Sequence, residues 1–193
     1  MQTLETTRRA PARLSWRRAA ARWLVTFAGF PAGGFTAMLL VGPVDTVITA
    51  LAGGLITGTI LGAAQAWGLG RSGPGAIRWV AATAAGLTIG LGIGATCVDF
   101  RTSLGALVLQ GAICGLAVGT AQALALGRSL GRIAFAWPAV LAAIWALGWA
   151  VTYAAGIAVT EQFTVFGSSG AVAVTALTVI LPVWLKTKES GQS

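Results

Sequence analysis

Six long apolar stretches, near residues 23–41, 47–69, 77–98, 104–126, 133–158 and 163–185, leave this chain few ways to fold. Apart from Arg78 in the first turn of the third, none holds a charged residue. A helix rising about 1.5 Å per residue needs ~20 residues to cross the hydrocarbon core of a bilayer. Inside lipid an unpaired backbone amide has no water to turn to, so a spanning segment is a helix or part of a closed barrel. Barrel strands alternate polar and apolar residues over about ten positions, whereas these runs are longer and apolar on every side. The predicted fold class is an all-α integral membrane protein of six transmembrane helices. Composition agrees, since 9% of the residues are charged, against about a quarter in soluble domains.

The charges that remain assign the two sides. Of 13 Lys and Arg, six precede the first span: Arg8, Arg9, Arg13, Arg17, Arg18 and Arg22. Arg71 and Arg78, then Arg128 and Arg132, then Lys186 and Lys188 fall at later ends on the same side, and Arg101 on the other. Asp45, Asp99 and Glu161 occupy the opposite loops. Short loops rich in Lys and Arg stay cytoplasmic, so both termini are expected inside. The domain reading is a basic cytoplasmic segment over 1–21, a transmembrane domain over 22–185 and a cytoplasmic tail over 186–193. The expected location is the bacterial plasma (inner) membrane, with anionic inner-leaflet lipids as partners of the basic rim. A net charge of +8 arranged this way does not point to nucleic acid, because no basic face interleaved with aromatics is present to stack bases. Arg8-Arg9 resembles a twin-arginine export signal, but Ala-Pro-Ala-Arg follows where an apolar segment should begin, so a retained anchor is expected. The segment LSWRRAAARW reads either as a short amphipathic helix on the inner leaflet or as a tail held there by charge.

A repeat runs through the chain. Residues 54–71 (GLITGTILGAAQAWGLGR) lie without a gap over residues 111–128 (GAICGLAVGTAQALALGR). Arg22-Trp23, Arg78-Trp79 and Ala136-Trp137 open the odd-numbered spans, and Gly34, Gly90 and Gly148 follow eleven residues after each Trp. The period is one helical hairpin, so three hairpins of the same orientation, repeating about every 57 residues, are expected. In the third, Phe166, Val174 and Leu177 stand where two glycines and the glutamine should be.

Within the repeat, Gly54, Gly58 and Gly62, then Gly86, Gly90 and Gly94, then Gly111, Gly115 and Gly119 form three zippers. Glycines four apart share one helix face and let two backbones approach. Such a face packs inside the bundle or meets another subunit. Gln65 and Gln122 follow their zippers by three residues on the same stripe, where a buried amide must find a partner. They read as interhelical hydrogen-bonding contacts, or as the polar part of a candidate pocket. Thr57, Thr59, Thr88 and Thr120 are expected to bond their own helices.

Trp16, Trp23, Trp67, Trp79, Trp137 and Trp184 fall at inner ends and read as an aromatic belt. Trp145, Trp149 and Tyr153, spaced by four, form a stripe that could wall the same candidate pocket or fill space against glycine faces. Cys97 and Cys114 lie at different depths and are not expected to pair. No catalytic residue, cofactor-binding residue or metal site is expected, and the spans lack the buried charges of proton relays and ion-coupled pumps.

Gly167-Ser168-Ser169-Gly170 resembles the G-x-S-G of rhomboid intramembrane proteases, which also have six spans. Their serine is activated by a histidine on another span, and this chain has no histidine, so the motif reads as a small-residue packing site. The repeated G-x-x-x-G-x-x-Q-x-x-x-L-x-R with a basic-Trp pair resembles a loose group of bacterial multi-spanning membrane proteins to which no activity is attached. Six spans with both ends inside are also similar to the substrate-binding subunits of energy-coupling-factor vitamin transporters. The functional expectation is a non-enzymatic inner-membrane protein, a structural or accessory subunit packing through glycine-zipper faces against other subunits or a second copy. The alternative is a small-solute or lipid carrier with its pocket near Gln65, Gln122, Trp145, Trp149 and Tyr153.

Overall fold

The computed structural model of the chain describes residues 12–127, 131, 133–157, 159 and 165–191. Over these the protein is helical: α1 (Ala12–Val25), α2 (Gly29–Val41), α3 (Val47–Leu69), α4 (Ala76–Cys97), α5 (Leu104–Leu126), α6 (Ile133–Ala154), α7 (Ser168–Thr178) and α8 (Ile180–Gly191). No strand occurs among the described residues. Six segments are long and apolar enough to cross a membrane: Trp16–Val41 (α1 with α2), Val47–Ser72, Ala76–Cys97, Leu104–Leu126, Ala134–Ala154 and Ser168–Lys188 (α7 with α8).

Three boundaries differ from expectation. The last span begins at Ser168 instead of 163, residues 165–167 being non-helical, and the other two differ for a local reason. The basic N-terminal stretch is not separate from the first span from residue 12 on, because α1 continues from Ala12 into it. The fifth span ends at Ala154 instead of 158, where Ala155 and Gly156 turn back onto the Val151 and Tyr153 carbonyls. Gly156 makes that turn at φ +70°, which favours glycine.

Prolines break the first and last spans. Pro31 has no N–H for the carbonyl four residues earlier, and the helix there tightens to a 3₁₀ turn at Thr26–Ala28 between α1 and α2. Pro182 has the same effect at Val179, between α7 and α8. At the other ends, Thr46 and Thr49 cap the start of α3 reciprocally, and Ser103 accepts from the Ala106 N–H to start α5. Gly70 and Gly127 close α3 and α5 at nearly the same dihedrals, φ +56° and ψ −136° against φ +51° and ψ −133°. Few residues other than glycine tolerate that region.

Glycines set the helix spacing. A Cβ on Gly54 would come within 2.8 Å of Thr88 Cα, on Gly58 within 2.7 Å of Ala84 Cα, and on Gly62 within 3.0 Å of Val80 Cα. The partner numbers fall as the glycine numbers rise, so α3 and α4 run antiparallel. Gly86, Gly90 and Gly94 of α4 meet Val118, Cys114 and Gln110 of α5. Gly111, Gly115 and Gly119 of α5 meet Trp145, Leu141 and Pro138 of α6. Gly29 and Gly33 of α2 meet Ala64 and Thr57 of α3, and Gly170 of α7 meets the Gly148 carbonyl of α6. All nine zipper glycines are therefore seated on the chain's own helices, where close backbone approach gives the dispersion contacts that hold helices together in lipid.

The last span returns to the first: α8 and α7 pack on α1, and Trp23 Nε1 donates to Thr178 Oγ1 at 3.1 Å. Outside, the helices stay apolar. On α4, Leu87 and Leu91 are fully buried while Ile89 and Ile93 on the opposite side are more than half exposed. A helix apolar on both sides is suited to lipid and not to water.

Candidate functional site

The polar centre of the bundle is built by the two repeated glutamines. Each lies three residues beyond its zipper, so the contact that brings α3 onto α4 and α5 onto α6 also turns the amide inward. Gln65 and Gln122 are 8% and 2% exposed. Gln122 Nε2 donates to Gln65 Oε1 at 3.4 Å and to Thr83 Oγ1 at 3.1 Å. Trp79 Nε1 donates to Gln65 Oε1 at 3.2 Å, and Trp137 Nε1 to Gln122 Oε1 at 3.2 Å. An indole N–H can only donate, so the two tryptophans fix which amide atom is the oxygen in each glutamine. The result is one chain of bonds, Trp79–Gln65–Gln122–Trp137 with Thr83 attached, running through α3, α4, α5 and α6.

These contacts correct the aromatic belt. Trp23, Trp79 and Trp137 are 2%, 1% and 4% exposed and donate inward, while Trp16 and Trp67 remain on the outside. Position at a helix end gives depth but not direction, and an interior acceptor draws an indole in. Thr57 makes a bond that the expectation did not include: its hydroxyl donates to the Gly33 carbonyl of α2, across the helix interface, at 3.2 Å. Thr59, Thr88 and Thr120 bond the carbonyls four residues earlier in their own helices.

The aromatic stripe of α6 divides. Trp145 and Trp149 are buried around Phe166, with ring centroids 5.4 and 6.0 Å from it. Phe30 of α2 joins them, 5.1 Å from Phe166 and 6.0 Å from Trp145. Three of these four contacts are edge-on and the Phe30–Phe166 pair is tilted; edge-on ring pairs are favourable beyond the area they bury. Tyr153 is half exposed and stands apart. Two helical turns, about 12 Å, separate Trp137 at the glutamines from Trp145 at the phenylalanines. The pocket expected from Gln65, Gln122, Trp145, Trp149 and Tyr153 together is therefore not assembled; a polar centre and an aromatic centre occupy different depths.

Comparison with protein-family models, with curated proteins and with solved structures gave no match.

A cavity of about 210 Å³ lies beside the aromatic centre, between α2, α6 and the start of α7, and Pro31, Trp149, Thr152, Phe166 and Ser168 line it. The G-S-S-G segment stands there as a packing element: Gly167 precedes α7 and Gly170 presses on the Gly148 carbonyl. Ser169 Oγ is buried with no hydrogen-bond partner. No group of three His, Cys, Asp or Glu able to hold a metal occurs among the described residues. Cys97 and Cys114 are free thiols.

Sequence reasoning missed Phe30 and Gln110, and named Phe166 only as a replacement for a glycine. Phe166 stands where the expected third repeat would place the counterpart of Gly111, and that exchange of the smallest residue for a ring was the available signal. Gly148 makes the room, since a Cβ there would reach within 3.1 Å of the Phe166 ring. Gln110 is 1% exposed, faces Gly94, and its Oε1 has no partner. Arg22 and Arg78 take parallel roles outside the centre: Arg22 donates to the Trp67 carbonyl near the end of α3, and Arg78 to the Leu124 carbonyl near the end of α5, the latter at 3.2 Å. Both satisfy carbonyls that a helix end leaves without partners.

Proposed function

We propose that the chain is a non-enzymatic, multi-pass protein of the bacterial inner membrane with a structural or accessory role. In this reading both termini are cytoplasmic and the chain is three same-orientation hairpin repeats. The observation that carries it is the Gln65–Gln122 centre, where the polar groups of four helices bond one another. An amide engaged in that way offers little to a substrate, and a bundle tied across four helices near one end suits a scaffold. The zipper faces are covered by neighbouring helices, so a partner subunit or second copy would meet the lipid-facing exterior instead. The repeat is supported by recurrence: a Trp at the start of an odd span donates to Gln65, to Gln122 or to Thr178.

The test is purification of the tagged chain from its native membrane in a mild detergent. A second polypeptide in fixed ratio supports the accessory role; a chain that elutes alone from every preparation overturns it. For orientation, single thiols replace Asp45, Asp99 or Arg71 in a cysteine-free variant of intact cells. Labelling by an impermeant reagent at positions 45 and 99 but not 71 supports the cytoplasmic termini, and the reverse pattern overturns them.

One observation favours the carrier reading, namely the cavity beside Trp149 and Phe166. Under that reading a bulkier residue at the cavity wall, Ser168→Leu, would abolish uptake by protein that still folds, whereas Gln65→Leu would not alter uptake by the folded protein.

A further inference from the structure

A groove of about 550 Å³ opens on the outside of the bundle between the ends of α5 and α6, lined by Ala123, Leu124, Gly127, Gly131, Phe135 and Pro138. Its walls are apolar, and Leu124 and Phe135 are among the most exposed large side chains of the protein, at 71% and 87%. It sits where α5 ends, so one end lies in hydrocarbon and the other at the basic rim.

Arg78 brings positive charge to this end. Arg78 is exposed and gives one donor to the carbonyl of Leu124, itself a groove residue. A guanidinium has five N–H donors in a planar fork that matches phosphate. Arg128 and Arg132 follow Gly127 and Gly131 directly in sequence, and no acidic residue occurs between Asp99 and Glu161.

Comparison within the chain separates this end from its counterpart. Arg22 makes the same type of bond, to the carbonyl of Trp67, and its guanidinium stacks over the Trp67 ring, 4.9 Å from the centroid. In the repeat, Leu124 replaces Trp67. Leucine has no π face, so Arg78 lacks the ring that covers Arg22, and the missing bulk lies beside an open groove.

We propose that this groove binds an anionic phospholipid, with an acyl chain along Ala123, Leu124, Phe135 and Pro138 and the phosphate on Arg78. The charge complementarity of rim and headgroup, and the apolar lining at hydrocarbon depth, select a lipid over a helix of a partner protein. The proposal needs the helices to span a bilayer, but neither a particular orientation nor an accessory role.

The experiment is native mass spectrometry of the full-length chain in a nonionic detergent, titrated with phosphatidylglycerol or phosphatidylcholine of identical acyl chains. One phosphatidylglycerol should be retained per chain, in preference to phosphatidylcholine. Arg78→Ala should lower that preference about fivefold, the usual effect of one basic residue at an anionic membrane surface, and Arg78→Lys should keep most of it. Ala123→Trp, which fills the groove, should reduce retention of both lipids, while Arg22→Ala should leave the preference intact. Unchanged melting of each variant shows that it is folded. Equal retention of the two lipids by the parent chain, an undiminished preference in folded Arg78→Ala, or normal retention in folded Ala123→Trp overturns the proposal.

Discussion

Gln122 Nε2 lies 3.4 Å from Gln65 Oε1, joining two residues 57 apart in sequence, each four residues from the end of its helix. Each amide also holds an indole, Trp79 on one side and Trp137 on the other. Gln65→Leu leaves the Trp79 indole without its acceptor and takes one of two acceptors from Gln122 Nε2. Gln122→Leu leaves the Trp137 indole without its acceptor and removes a donor from Gln65 Oε1 and Thr83 Oγ1. Gln65→Leu and Gln122→Leu are each expected to lower stability by about 1–3 kcal/mol, read as unfolding midpoint in detergent or bicelles. The double variant should cost less than the sum of the singles, because the second substitution removes a group whose partner is already lost. Strict additivity would mean that the two amides do not act together.

Alanine at Gly58 should destabilise, because its Cβ would sit 2.7 Å from Ala84 Cα, and backbone cannot swing aside as a side-chain tip can. Overpacking of this kind costs roughly 1–3 kcal/mol. Gly105 of α5 is the control, having nothing within 4 Å of its Cβ position. Gly105→Ala should be neutral, or stabilising by up to about 1 kcal/mol from helix propensity alone. Equal effects at the two positions would count against the close α3–α4 contact.

Gly70 and Gly127 end their helices at positive φ. Gly127 has open space around its Cβ position, so Gly127→Ala isolates backbone strain from crowding. A loss of about 1–3 kcal/mol is expected, and a melting temperature equal to that of the parent would refute the cap geometry.

Trp79 and Trp137 are buried and bonded, whereas Trp67 is half exposed. In variants retaining a single tryptophan, an aqueous quencher should reach Trp67 far more readily than Trp79 or Trp137. Quenching of all three to the same extent would restore the belt.

Much of this architecture was legible because lipid imposes simple rules. Long apolar runs identified six segments able to cross a bilayer, and glycine spacing identified the close faces, since in the absence of a hydrophobic drive between helices small residues decide where backbones meet. The mutual bond of Gln65 and Gln122 was not legible. Their positions on the glycine stripe said that each faced a neighbour, but which neighbour depends on how four helices rotate together. Trp79 illustrates the same limit: an indole at a helix end serves lipid headgroups or an interior acceptor equally well, and only the placement of Gln65 decides. The aromatic centre was hidden because Phe30 and Phe166 come from spans far apart in sequence and share no spacing.

The seam between first and last spans governs the order of assembly. Trp23 meets its acceptor on a residue synthesised 155 positions later, and both strands of the seam are broken by proline turns. While the middle helices can dock as they emerge from the ribosome, that indole must wait for the final segment to enter the membrane. Ribosome-bound chains stopped before residue 168 should leave Trp23 open to a membrane-dissolved quencher, and release of the complete chain should shut it away.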